Sequence, residues 1–179
     1  MKFLISLVLS VLLLGVAMGQ NYTAKPGETL LKLEVEGRGN IIIKLHSKQA
    51  PKTVEHILEL VKAGFYNGQR FHRVERTPKP YLVQVGDPNS KSGDLSGAGA
   101  TNGTLAYEDS GFKNEAGAVG LAHSVDNRDT GDGQFYMLLD RSSFLDNNYT
   151  VFGRVVDGMD VLRKIVKGDR LVSVTVVGG

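Results

Sequence analysis

The 179-residue chain has no cysteine and no tryptophan, and aromatic residues make up only 7% of it. Without cysteine there can be neither a disulfide framework nor a thiolate metal site, so the fold must be held by packing. The four histidines, His46, His56, His72 and His123, form no H-E-x-x-H motif and no i, i+4 pair, which leaves a metal enzyme without support. No serine-histidine-acid arrangement supplies a nucleophile. What remains is ordinary for a globular protein: 41% apolar and 22% charged residues, in a length that suits one domain with a real core.

The one long apolar run is at the start. Met1-Lys2 precedes Phe3 to Leu14, and Gly15-Val-Ala17-Met-Gly19 places small residues at the third and first positions before a cut after Gly19. This is the pattern of a secretory signal over residues 1–19. Removing it leaves Gln20 to Gly179, with 20 basic against 19 acidic side chains. That near balance offers no basic field for nucleic acid or for a membrane surface. The expected protein is exported, to a periplasm, the medium or a secretory lumen, and has no membrane segment once cut.

Residues 20–179 read as a single domain in which period-2 segments dominate. Leu31 to Glu36 alternates apolar and charged side chains, and Asn40 to Leu45 follows after Gly37-Arg-Gly39, a hairpin signal. Pro51 suits a first helical turn, Val54, Ile57, Leu58 and Val61 share one helical face, and Gly64 marks a stop. Short apolar runs follow at residues 70–74, 82–85, 119–122, 134–139 and 151–155, separated by glycine and asparagine. A second helix fits Gly158 to Lys167, and Ser173 to Val177 reads as a last strand. Seven or eight strands with two helices predict a closed or nearly closed antiparallel barrel, since closure removes edges that aggregate.

Six motifs in register carry a family resemblance: Ala50-Pro-Lys-Thr-Val54, Phe65-Tyr-Asn-Gly68, Phe71-His-Arg-Val74, Gln84-x-Gly86-Asp87, Gln134-Phe135 and Val151-Phe-Gly-Arg154. In this order, from about Leu31 to Val177, the chain resembles a cyclophilin of a bacterial-like, exported kind. The resemblance implies a mainly β fold, a closed eight-stranded antiparallel barrel capped by two α-helices. It also implies peptidyl-prolyl cis-trans isomerase activity without metal or organic cofactor. Arg73 would stabilise the twisted amide, and Gln84 would hydrogen-bond the substrate backbone. Tyr81, Leu82, Tyr136 and Leu145 would cup the proline ring, with Phe144 and Tyr149 at the rim. Ala122 and His123 match the stretch that pairs with an extended substrate, and Gln134 completes the polar set. The partners would be proline-containing folding clients, bound by a monomer.

The chain departs from the family pattern in places. Tyr81 stands eight residues after Arg73 where five is usual, because Glu75-Arg-Thr-Pro-Lys-Pro80 lengthens the loop. Val85 replaces the first of a usual glycine pair, Tyr81 and Tyr136 replace phenylalanines, Phe144 replaces a tryptophan and Tyr149 a histidine. Weakened cyclosporin binding and a more polar cup follow as expectations. The competing reading is a proline-peptide binding module or chaperone on the same barrel.

Overall fold

The alternating segment at the start of the domain folds as a hairpin, β1 (Leu30–Val35) against β2 (Gly39–Leu45), turned by Gly37 and Gly39 at positive φ. The computed structural model describes residues 22–101 and 103–178; the expected signal segment, residues 1–19, lies outside them. After the hairpin come α1 (Pro51–Lys62), β3 (Arg73–Glu75), β4 (Leu82–Val85), β5 (Ala118–Leu121), β6 (Phe135–Leu138), β7 (Val151–Asp157), α2 (Met159–Lys164) and β8 (Leu171–Val177). Every strand pairing is antiparallel, within one sheet of order β3-β4-β6-β5-β7-β2-β1-β8.

That order has two ends, and so the expected closed barrel is not formed: the sheet is an open half-barrel curling through 219°. The reason is the length of β3. The chain just before it meets the chain entering β8 through a narrow clasp, in which Gly68 N–H donates to Leu171 O (2.8 Å), Leu171 N–H to Gln69 O (2.7 Å) and Phe71 N–H to Asp169 O (3.0 Å). Past Phe71 the strand is three residues long and pairs only with β4. Along β8, Val174 N–H is instead taken by the Asn67 side chain at 3.1 Å, so part of this edge is satisfied by the connection after α1.

α1 begins as its sequence demands. Pro51 occupies the first turn, and the free N–H groups there are met by Glu108 from a distant loop. Its carboxylate accepts from Lys52 N (3.1 Å) and from Thr53 N (2.7 Å) and Oγ1 (2.6 Å). Val54, Ile57 and Val61 are buried, each worth about 1.5–3 kcal/mol by removal from water. α2 is shorter than the periodicity predicts. Ile165 leaves the helix at φ −62°, ψ 135° and is fully buried in the core, so Val166 and Lys167 fall outside the helix.

The main core fills the inside of the curled sheet. Phe71, Val83, Val85, Val119, Leu121, Phe135, Met137 and Phe152 meet Ile57 and Val61 of α1 and Val161 and Leu162 of α2 there. A second, smaller cluster lies apart from it: Leu82, Ala118, Tyr136, Leu138, Leu145 and Val151, with Tyr81 and Tyr149 packed on it.

Candidate active site

The second cluster exists because neighbouring residues of a strand face opposite sides of the sheet. β4 sends Val83 and Val85 to the main core and Leu82 to the outer cluster; β6 sends Phe135 and Met137 inward and Tyr136 and Leu138 outward. The antiparallel register then lines residues up across strands. Arg73 stands opposite Gln84, and Gln84 opposite Tyr136. One row along stand Glu75, Leu82 and Leu138.

Tyr136 continues its row onto β5, where its partner is Gly120. A Cβ at that position would lie 2.2 Å from Tyr136 Cζ, so the absence of a side chain is what admits the ring. The hydroxyl donates to Asn114 Oδ1 at 2.7 Å, and Asn114 Nδ2 in turn donates to Asp146 Oδ1 at 3.3 Å. Burial pushes the Tyr136 hydroxyl far above its ordinary pKa, so it stays a neutral donor. Leu82, Tyr136 and Leu145, the residues expected to cup a proline ring, are packed together in this outer cluster. Tyr149 meets Tyr136 edge-on at 5.6 Å and stacks on His123 at 4.1 Å. Phe144, 71% exposed, meets the Tyr81 ring edge-on at 5.8 Å.

The polar groups form an ordered chain. Gln134 Nε2 is 2.8 Å from both Gly97 O and Gly99 O; these only accept, so the amide must present its nitrogen to them. Its oxygen then accepts from Gln84 Nε2 at 3.0 Å, which leaves Gln84 Oε1 facing Arg73 Nη1 at 3.4 Å. Every bond in the chain points the same way, from the guanidinium outward, an arrangement in which each bond polarises the next. Gly86 permits the contact. At φ +113° its backbone approaches so closely that a Cβ would lie 2.4 Å from Gly133 O, and this brings the ends of β4 and β6 together. Tyr66 OH fixes the same carbonyl from the core side at 2.8 Å. Arg73 also donates from Nε to Glu75 Oε1 (2.9 Å) and from Nη2 to the Tyr81 hydroxyl (3.0 Å).

Beside this row lies a cavity of about 310 Å³, bounded by Gln84, Gln134, Ala122, His123, Asp132 and the Gly97–Ala100 loop. The Asp132 carboxylate is held by the backbone N–H and hydroxyl of Thr101. The arrangement therefore sets an outer apolar cluster beside a polar groove, with Gln84 on the groove and Arg73 hydrogen-bonded to it. Among the described residues no group of three or more His, Cys, Asp or Glu side chains is placed to hold a metal ion.

The model of the family described as cyclophilin type peptidyl-prolyl cis-trans isomerase/CLD matches residues 30–177. The chain belongs to this family. It is 36% identical over 141 residues to a peptidyl-prolyl cis-trans isomerase of Helicobacter pylori, covering 76% of this chain and 80% of that one. It is 34% identical to a probable peptidyl-prolyl cis-trans isomerase of Brucella suis, covering 94% and 88%. In fold it is similar to a cyclophilin-type isomerase of Cryptosporidium parvum solved in the presence of the dipeptide Ala-Pro, with a TM-score of 0.72, 20% identity, and coverage of 84% of this chain and 99% of that one. A cyclophilin of Hirschia baltica gives a TM-score of 0.65 at 23% identity, covering 83% and 76%.

In this cyclophilin the residues singled out from sequence come together in two groups. Tyr81, Leu82, Tyr136, Leu145, Phe144 and Tyr149 make the cup and its rim. Gln84, Ala122, His123 and Gln134 line the groove, Arg73 reaches it through Gln84, and Tyr149 stacked on His123 joins the two groups. Sequence reasoning missed Asn114, Glu75 and the Thr101–Asp132 pair. Asn114 sits in a loop without periodicity, and nothing in the chain marks it as the partner of Tyr136. The Gly97-Ala-Gly99 stretch lines the groove, and the backbone carbonyls of its two glycines orient Gln134.

If Gly120 is the space that Tyr136 needs, Gly120→Ala drives the ring out of the cup. It should destabilise the fold by about 1–3 kcal/mol, as overpacking does, and weaken binding of a proline peptide, both measurable by denaturant unfolding and titration. Unchanged stability and binding would show that the ring has another resting place.

Proposed function

We propose that the border between cup and groove is where an X-Pro bond is twisted, with Arg73 and Gln84 as the catalytic residues. Rotation about such a bond faces a barrier of roughly 20 kcal/mol because the amide loses its resonance. As the plane twists, the prolyl nitrogen becomes pyramidal and gains a lone pair that neither planar isomer has. An N–H of a permanently charged guanidinium aimed at that lone pair stabilises the twisted state over both ground states, which is the condition for catalysis. Bringing exchange from about a minute to milliseconds needs on the order of 10⁴ to 10⁵-fold, or about 5–7 kcal/mol. A charge-assisted bond at the edge of an apolar patch is of the right size to supply about half of it, positioning of the peptide supplying the rest.

The observation that carries this reading is the row Arg73, Gln84, Tyr136, which sets a guanidinium, an amide and an aromatic cup wall side by side on three strands. The cup of Leu82, Tyr136 and Leu145, with Tyr81, Tyr149 and Phe144 around it, fits the ring of proline. Gln84 holds the carbonyl side, and the groove at Ala122, His123 and Gln134 receives the extended chain. Ala122 N–H is already given to Gln134 O (2.9 Å), so an incoming backbone donor would meet the Ala122 carbonyl. The Ala-Pro dipeptide named with the Cryptosporidium parvum structure supports proline-containing peptides as ligands. Phe144 and Tyr149 at the rim favour weak cyclosporin binding, and a monomer is sufficient for the site as described.

The chemistry needs only chain residues, and the expected setting is folding of exported proteins. Export rests on the charged, apolar and small-residue pattern of residues 1–19. N-terminal sequencing of the protein recovered outside the cytoplasm should begin at Gln20, and a start at Met1 would refute the cut.

The catalytic reading is tested by cis-trans exchange of a short X-Pro peptide with wild type, Arg73→Ala and Arg73→Lys. Loss of the guanidinium should lower kcat/KM by about 10² to 10³-fold while the peptide still binds, and lysine should restore only part of it, since a point charge lacks the fork. Wild-type binding without acceleration would make this a proline-peptide binding module; acceleration indifferent to Arg73 would remove Arg73 from the mechanism.

A further inference from the structure

The loop that lengthens the chain between Arg73 and Tyr81 ends where it began. Tyr81 N–H donates to Glu75 O at 3.1 Å, so the two residues flanking residues 76–80 are pinned together. The loop itself is anchored: Arg76 Nη2 donates to Ile165 O at 2.7 Å, and Lys79 Nζ lies 3.5 Å from Asp140 Oδ2. Both flanking residues reach Arg73. Glu75, two residues along β3 and thus on the same face, accepts Nε–H at 2.9 Å, and the Tyr81 hydroxyl accepts from Nη2 at 3.0 Å. Gln84, at 3.4 Å from Nη1, is the longest of the three contacts.

A guanidinium has five N–H groups in a rigid plane, and a side chain of this length, with 46% of its surface exposed, has many rotamers to choose from. Bonds on Nε and Nη2 fix the plane along one edge and leave N–H groups of the other edge for Gln84 and for substrate. We propose that Glu75 is a positioning residue: together with the Tyr81 hydroxyl at the far end of the same loop, it clamps the Arg73 guanidinium in the orientation that faces the prolyl nitrogen. This deepens the catalytic reading of Arg73 and rests on it. Coulomb attraction between partly exposed groups is weak, so what the pair contributes is orientation.

The test is the exchange assay on Glu75→Ala, Glu75→Gln and Arg73→Ala, and on the two double variants, with unfolding midpoints and the Arg73 Nε–H signal recorded by NMR. Glu75→Ala should lower kcat by about 3- to 10-fold with KM nearly unchanged, as misorientation does, and shift or broaden the Nε–H signal. Glu75→Gln, which keeps an acceptor oxygen, should recover most of the loss. In the Arg73→Ala background neither change should matter. Equal loss from Glu75 variants with and without Arg73, a fall in midpoint that accounts for the loss, or a higher kcat in Glu75→Ala would each overturn the clamp. An Arg73→Ala variant with wild-type turnover would overturn the catalytic reading itself, a distinguishable failure.

Discussion

Across β3, β4, β6 and β5 each backbone step turns the next side chain to the other side of the sheet, and the inner side is taken by the main core. Everything at the site follows from what is left. Because Val83, Val85, Phe135 and Met137 must face inward, Leu82, Gln84, Tyr136 and Leu138 must face outward, and a one-residue slip would exchange the two sets. The inner packing is thus what fixes the register of the outer row. Gly86 and Gly120 then allow approaches that a side chain would block, one between the ends of β4 and β6 and the other beneath the Tyr136 ring.

On that outer row a charge is held without being neutralised by burial. Arg73 stays partly in water, where a guanidinium costs little to keep, while the Tyr136 ring beside it is buried with its hydroxyl held by Asn114. The amides of Gln84 and Gln134 carry the orientation from Arg73 to the carbonyls of Gly97 and Gly99, so the polar half has one hydrogen-bonding direction throughout. Glu75 and Tyr81 hold the opposite edge of the same guanidinium. In the proposed binding mode, a proline ring on the apolar side and a backbone in the groove would meet at that plane.

Much of this was legible in the residues. The strand at Leu82–Val85 coincides with its apolar run, and α1 has the bounds that Pro51 and Gly64 announce, because both signals are local and backbone-driven. The side of the sheet each residue faces was less so. Phe135 and Tyr136 are both aromatic and both buried, and only the register separates the core residue from the cup residue. Closure of the barrel could not be read from strand count, since it turns on β3 having three residues and on Asn67 meeting Val174 across the clasp. The end of α2 was hidden for a related reason: Ile165 belongs to the helical stripe by spacing, but the core draws it out of the helix. Contacts made by loops, such as Asn114 with Tyr136 and Glu75 with Arg73, join residues whose types are common in any loop.

The most direct measurement is NMR of a short Ala-Pro peptide with the isotope-labelled protein, which reports prolyl exchange and the contacting residues in one sample. Catalytic amounts of protein should broaden the separate cis and trans proline signals, with amide shifts concentrated at Gln84, Ala122, Gln134 and Tyr136. Prolyl signals that stay sharp, or shifts gathered away from the outer face of β4, β5 and β6, would contradict it.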